Sequence, residues 1–209
     1  EIVLPNTNIE VQKVIDSESY SLYLKGKSYE GLRQKYQNLS KEELIHVQNL
    51  FYRAIELDSL NIDAYIQVAR TYIFTYNLDD ANIAIKILNS ALAIAKKYKK
   101  NKLIGRIYRN IGICNQNLIN RNYSDINYVN NNILFNYKEA AKVGKNNNDA
   151  FGYWMAINNI IGIFYSLDTE SSIDSIYFYG NQLLEFAKQN NNYEIESHVY
   201  QLFAHFYFI

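Results

Sequence analysis

Apolar residues recur along this chain at three- and four-residue intervals, in long blocks separated by short polar runs. Val47, Phe51 and Ala54 form one such stripe; Ala84, Leu88 and Ala91 form a second. Ile133, Tyr137 and Ala140 repeat the spacing, and so do Ile176, Gly180 and Leu183. Side chains spaced in this way share one face of an α-helix. Ser40 stands three residues before Glu43, the signature of a capping box that opens the helix through Val47, Phe51 and Ala54. Leu92–Lys97 and Leu184–Gln189 read as two copies of one helix ending, each leading into a polar turn. Cations there favour the negative helix terminus. Gly180 interrupts its stripe, and an interior glycine costs a helix about 1 kcal/mol against alanine.

Between these helices lies a second pattern: aromatic, two residues, aliphatic, small, two residues, tyrosine. Ala54–Tyr72 displays it best, as a helix end, a tight turn and a new helix carrying Tyr65, Val68, Ala69 and Tyr72. Tyr108, Ile111, Gly112 and Asn115 follow the same spacing, as do Asn158, Ile161, Gly162 and Tyr165, and Tyr200, Phe203, Ala204 and Tyr207. The chain resembles the tetratricopeptide repeat (TPR) family in these residues. Each step between the small residues is longer than the usual period of roughly 34 residues, so helices or turns are lengthened. At the small position a larger side chain is expected to overpack the helix crossing by about 1–3 kcal/mol. The expected fold is all-α, and the resemblance implies a right-handed α-α superhelix of four to five hairpins over residues 18–209. Residues 18–75 more narrowly resemble the TPR region of bacterial signalling and transcriptional regulators, through Ser19–Gly26 and Phe51–Asp58. That resemblance implies a sensory or interaction module, periplasmic or cytoplasmic, within a larger protein. Ser59 and Asn115 depart from the generic motif.

Two stretches interrupt the regularity. Asn117–Asn132 reads as either a structured insertion or an N-terminal extension of the next helix. The second is favoured because long unstructured loops are uncommon in compact domains. Ser124-Asp125 would cap that extension, with Ile126 and Val129 on its inner face. Residues 1–17 carry the chain's only proline and weak periodicity, and read as a linker with room for one short helix. A first residue other than Met and an apolar end at Phe206–Ile209 suggest a processed form, an excised fragment, or an end buried against another chain.

Composition narrows function by exclusion. Only 8 Gly and 1 Pro stand among 209 residues, too few turn formers for an all-β chain. Lys plus Arg equals Asp plus Glu at 21 each, so no net field draws the protein to nucleic acid or an anionic membrane. No apolar run reaches the ~18 residues of a membrane span. Cys114 is the only cysteine, which forbids an intrachain disulfide, and it reads as a buried small hydrophobe. The basic run Lys96–Arg109 reads as a solvated helix end and turn.

Stacked first helices in a TPR line a concave groove, and stepping around each helix from its packing stripe nominates groove contacts. These are Gln67, Arg70 and Phe74; Arg106, Arg109, Asn110 and Gln116; Asn159 with Ser166; and Gln201 and His205 with His198. Arg70, Arg106 and Arg109 could grip an acidic group bidentately, or be solvated, or pair with acids such as Asp63. The carboxylate clamp of chaperone-binding TPRs does not carry over, since Ile66, Ala156 and Ile160 stand where polar residues would be needed. His198 and His205 are too far apart for an i,i+4 metal pair. Trp154 and Met155 could anchor a ligand or fill the core. No phosphate loop and no nucleophile–base motif occurs. The sequence therefore predicts a non-enzymatic protein- or peptide-binding scaffold without cofactor. Self-association through the apolar C-terminal helix and small-ligand sensing for an attached effector are the alternatives.

Overall fold

A computed structural model describes residues 7–32, 36–74, 78–120, 122–167 and 169–207. Among these residues every regular element is helical. The helices are α1 Thr7–Leu32, α2 Lys41–Leu57, α3 Ile62–Ile73, α4 Leu78–Lys97 and α5 Asn101–Leu118. They continue with α6 Ile126–Tyr128, a π-helical segment Val129–Leu134, α7 Phe135–Asn146, α8 Ala150–Leu167, α9 Glu170–Gln189 and α10 Tyr193–Tyr207. The chain divides into two compact units, Glu1–Lys99 and Lys100–Ile209. Within each, consecutive helices pack on one another.

Helix starts follow local chemistry. Ser40 caps α2: its hydroxyl accepts from the Glu43 amide at 3.2 Å, and the Glu43 carboxylate accepts from the Ser40 amide at 2.8 Å. Such a cap contributes about 1 kcal/mol. Asn61 caps α3 through the Ala64 amide. Helix ends explain the scarcity of glycine. Lys99, Asn120, Asn148 and Asn191 take positive φ just beyond α4, α5, α7 and α9. The left-handed residue that ends a helix is usually glycine, and asparagine substitutes for it at least cost.

In the first unit, the α1–α2 crossing is set by Gly26, where an added Cβ would meet the Phe51 ring at 2.6 Å. Further along, the buried Ser19 hydroxyl donates to the Ala54 carbonyl at 2.8 Å and accepts from the Asn61 amide nitrogen at 2.9 Å. One side chain thus ties α1, α2 and the start of α3. In the second unit, the α5–α7 crossing repeats this arrangement. A Cβ on Gly112 would meet the Tyr137 ring at 2.6 Å, and one on Gly105 would lie 3.5 Å from the Ala140 carbonyl oxygen. The stretch of chain from Gly26 to Phe51 equals that from Gly112 to Tyr137, and Ser19 to Ala54 equals Gly105 to Ala140. The two hairpins are one packing solution used twice.

The structure departs from the sequence reading at several places. α1 begins at Thr7, well before residue 18, and Glu1–Asn6 lie outside the described residues. The extension preceding α7 forms, with Asp125 accepting from the Tyr128 amide and Val129 buried, but Ile126 is exposed. Its π-helical winding was not foreseen. Wider winding disturbs the carbonyl ladder, and the Asn132 carbonyl accepts side-chain amides from Asn136 at 2.6 Å and Asn115 at 3.3 Å. Asn115 also accepts from the Tyr128 hydroxyl at 2.9 Å, which accounts for asparagine where the repeat pattern has tyrosine.

The repeat stripe is buried in α3 and α5, where Ala69 and Gly112 lie inside. α8 differs: it buries Tyr153, Ala156, Ile157, Ile160, Ile161 and Ile163, while Gly162 is exposed with nothing within 4 Å of a Cβ. Gly162 therefore does not admit a neighbouring helix. Ala204 in α10 is exposed too, and the side chains of Phe206 and Tyr207, with Phe208 and Ile209, lie outside the described residues. Gly180 is buried where the Phe203 ring packs over it, so its cost to α9 makes room for α10. Among the described residues, no helix is long and apolar enough to cross a membrane.

Candidate functional site

Gly162 opens onto a polar cleft of about 540 Å³ between α5 and α8. Ile113 and Gln116 come from α5, Tyr123 from the following turn, and Asn158, Asn159, Gly162 and Ser166 from α8. Helical spacing puts Asn158, Asn159, Gly162 and Ser166 on adjoining surface of α8. The missing side chain at Gly162 leaves the space between them open.

Gln116 is held from two sides. Its amide nitrogen donates to the Tyr123 hydroxyl at 3.0 Å, and its carbonyl oxygen accepts a short hydrogen bond from the Tyr137 hydroxyl. Ser166 donates to the Gly162 carbonyl at 2.9 Å. The Asn159 amide nitrogen is buried and has no hydrogen-bond partner. A buried donor left unpaired costs about 1–3 kcal/mol. The wall is neutral: amides, a phenol and a hydroxyl. Such groups match other amides better than they match ions.

Of the nominated residues, Gln116 and Asn159 meet in this cleft, with Ser166 beside them. Tyr123 was missed because it stands outside any helix, where helical stepping has nothing to say. Asn158 was read as a packing residue and lines the cleft instead.

The other nominees lie elsewhere. Gln67 is only 1% exposed, so it is not a groove contact; it accepts from the Tyr36 hydroxyl at 3.1 Å and from Arg70 at 3.4 Å. Arg70 is half-buried and stacks over the Phe74 ring at 5.7 Å, and Phe74 packs against the first unit's core. These three form an internal cluster at the end of α3. Asn110 is buried and donates to the Arg106 carbonyl at 2.8 Å. Arg106 and Arg109 are half-buried on α5, in the second unit, whereas Arg70 belongs to the first. Gln201 is exposed on α10. The side chain of His205 lies outside the described residues. His198 meets the Trp154 ring edge-on at 5.3 Å, and Trp154 also meets Phe151 at 5.8 Å. Lys96–Lys100 are exposed around the end of α4, as a solvated turn would be.

Cys114 is fully buried, and burial pushes its thiol up to about 12, which leaves it inert as a nucleophile at neutral pH. Among the described residues, no group of three His, Cys, Asp or Glu side chains could hold a metal ion. No protein-family model matches the chain, and no curated protein matches it either. The functional reading rests on the geometry of the chain itself.

Proposed function

We propose that the chain is a TPR-like, non-catalytic scaffold that binds a polypeptide segment in extended conformation along the α5–α8 cleft. The observation carrying this reading is the neutral amide wall around Gly162, with the Asn159 amide nitrogen buried and unpaired. An extended peptide presents carbonyls and amides at regular intervals. Asn158, Asn159 and Gln116 could meet those groups irrespective of the guest's sequence, while Ile113 and the bare Gly162 surface leave room for a side chain. The repeated glycine–aromatic crossing and the residues around Tyr65–Tyr72 support the TPR likeness. By the resemblance of Ser19–Gly26 and Phe51–Asp58, the scaffold serves as the interaction region of a larger bacterial regulator. Arginines 106 and 109, on the same helix as Gln116, would favour an acidic guest.

Gly162→Leu tests the cleft because it fills open space and displaces nothing. Peptides enriched from a random library on the wild-type chain should lose about tenfold or more in affinity for this variant, a deficit of ~1.4 kcal/mol. Failure to enrich any peptide, or equal binding to both proteins, sinks the assignment.

A second reading, self-association, is favoured by α10. Tyr193 and Tyr200 are exposed there and flank an open depression with Gln201 and Ala204. Light scattering would then show a concentration-dependent rise in mass that Tyr200→Glu abolishes. A strict monomer at every concentration removes this reading.

A further inference from the structure

On another face of the second unit, α7, α8 and α9 line an open pocket of about 270 Å³ that the peptide reading leaves unused. Its floor is apolar: Ile157 and Ile160 are buried, and Tyr153 is 2% exposed with a hydroxyl that has no hydrogen-bond partner. Its rim is cationic. Lys138, Lys142 and Lys145 follow one another along α7 on a single face, all exposed. Two acids stand nearby: Glu139 approaches Lys142 at 3.9 Å, and Glu185 on α9 lies close enough to act on the Tyr153 hydroxyl. Three lysines outnumber them.

An apolar floor beneath a row of ammonium groups suits a guest with an apolar body and one anionic end. Volume decides its size. A cavity of about 150 Å³ holds benzene, so this pocket has room for a phenyl ring with a short chain. We propose that this pocket is a binding site for small aryl or short-alkyl carboxylates. The ring or chain lies on Ile157 and Ile160. The carboxylate is held among Lys138, Lys142 and Lys145. Such a site, in the unit that also carries the α5–α8 cleft, is what a scaffold sensing a metabolite would need.

The test uses the full chain and two probes of one shape, 3-phenylpropionate and 3-phenylpropanol, titrated by NMR with shifts read at α7 and α9. The carboxylate should bind about tenfold or more tightly than the alcohol at low ionic strength, the gap closing as salt is raised. The exposed-residue variant Lys138→Gln/Lys142→Gln/Lys145→Gln should bring the carboxylate down to the alcohol's affinity and leave the alcohol unchanged. Equal affinities in the wild-type chain, shifts confined to other helices, or no binding of either probe at millimolar concentration would each overturn the proposal. So would a triple variant that keeps the wild-type preference.

Discussion

Tyr137→Ala should destabilise the second unit by about 3–5 kcal/mol, the cost of deleting a fully buried aromatic ring whose space does not collapse. The ring fills the niche that Gly112 leaves in α5, so its loss opens a void at the tightest point of the α5–α7 crossing. The hydroxyl contributes separately by holding the Gln116 carbonyl oxygen. Tyr137→Phe retains the ring and should cost only about 1 kcal/mol, the worth of one hydrogen bond. The chain's single tryptophan, Trp154, lies in the second unit, so its fluorescence in a urea titration reports that unit specifically. A midpoint shift equivalent to less than about 1 kcal/mol for Tyr137→Ala would mean that the crossing is not packed on this ring.

Gly112 and Gly162 should respond to one substitution with opposite signs. Both are helical, and both gain about 1 kcal/mol of helix propensity when replaced by alanine. At Gly112 the new methyl group stands 2.6 Å from a buried ring that has no room to retreat. Overpacking of about 1–3 kcal/mol outweighs the gain, and leucine there should cost about 3 kcal/mol or more. At Gly162 an added Cβ would have no neighbouring atom within 4 Å outside its own turn of helix, so alanine should stabilise by about 1 kcal/mol and leucine should be tolerated. The same Trp154 titration checks both. Matching losses at the two positions would show that α8 packs through Gly162 after all, and would close the cleft.

The contrast also shows where the sequence could be read and where it could not. Stripes with one apolar face were legible: Val47, Phe51 and Ala54 in α2, and Ala84, Leu88 and Ala91 in α4, are all buried as their spacing implies. The Ser40–Glu43 cap was legible because its chemistry is local. α8 misled for the opposite reason. It is apolar nearly all round, so several stripes fit it equally, and the repeat motif selected one that runs through the exposed Gly162 and Tyr165. Partners from distant segments decide such a helix. Gln67 looked like a surface residue because glutamine usually is one. Only the Tyr36 hydroxyl, brought from another segment, satisfies it inside. The π-helical segment carries no pattern of its own, and α1 begins in a stretch of weak periodicity. Within the cleft, Gln116 and Asn159 followed from helical stepping, whereas Tyr123 required the turn's path.

The shared spacing of the two glycine–ring crossings has a consequence for how such hairpins can vary. Between Gly26 and Phe51 the chain passes through a 3-10 turn and a capping box; between Gly112 and Tyr137 it passes through a left-handed asparagine and a π-helical segment. The intervening architecture differs, yet the ruler from glycine to ring is the same length. Winding inside the span differs between these two hairpins while the number of residues is kept, and the α9–α10 crossing, from Gly180 to Phe203, uses a shorter span. In either of the two equal spans, an inserted residue would slide the ring off its glycine unless a deletion, or a stretch of wider helix, takes it up.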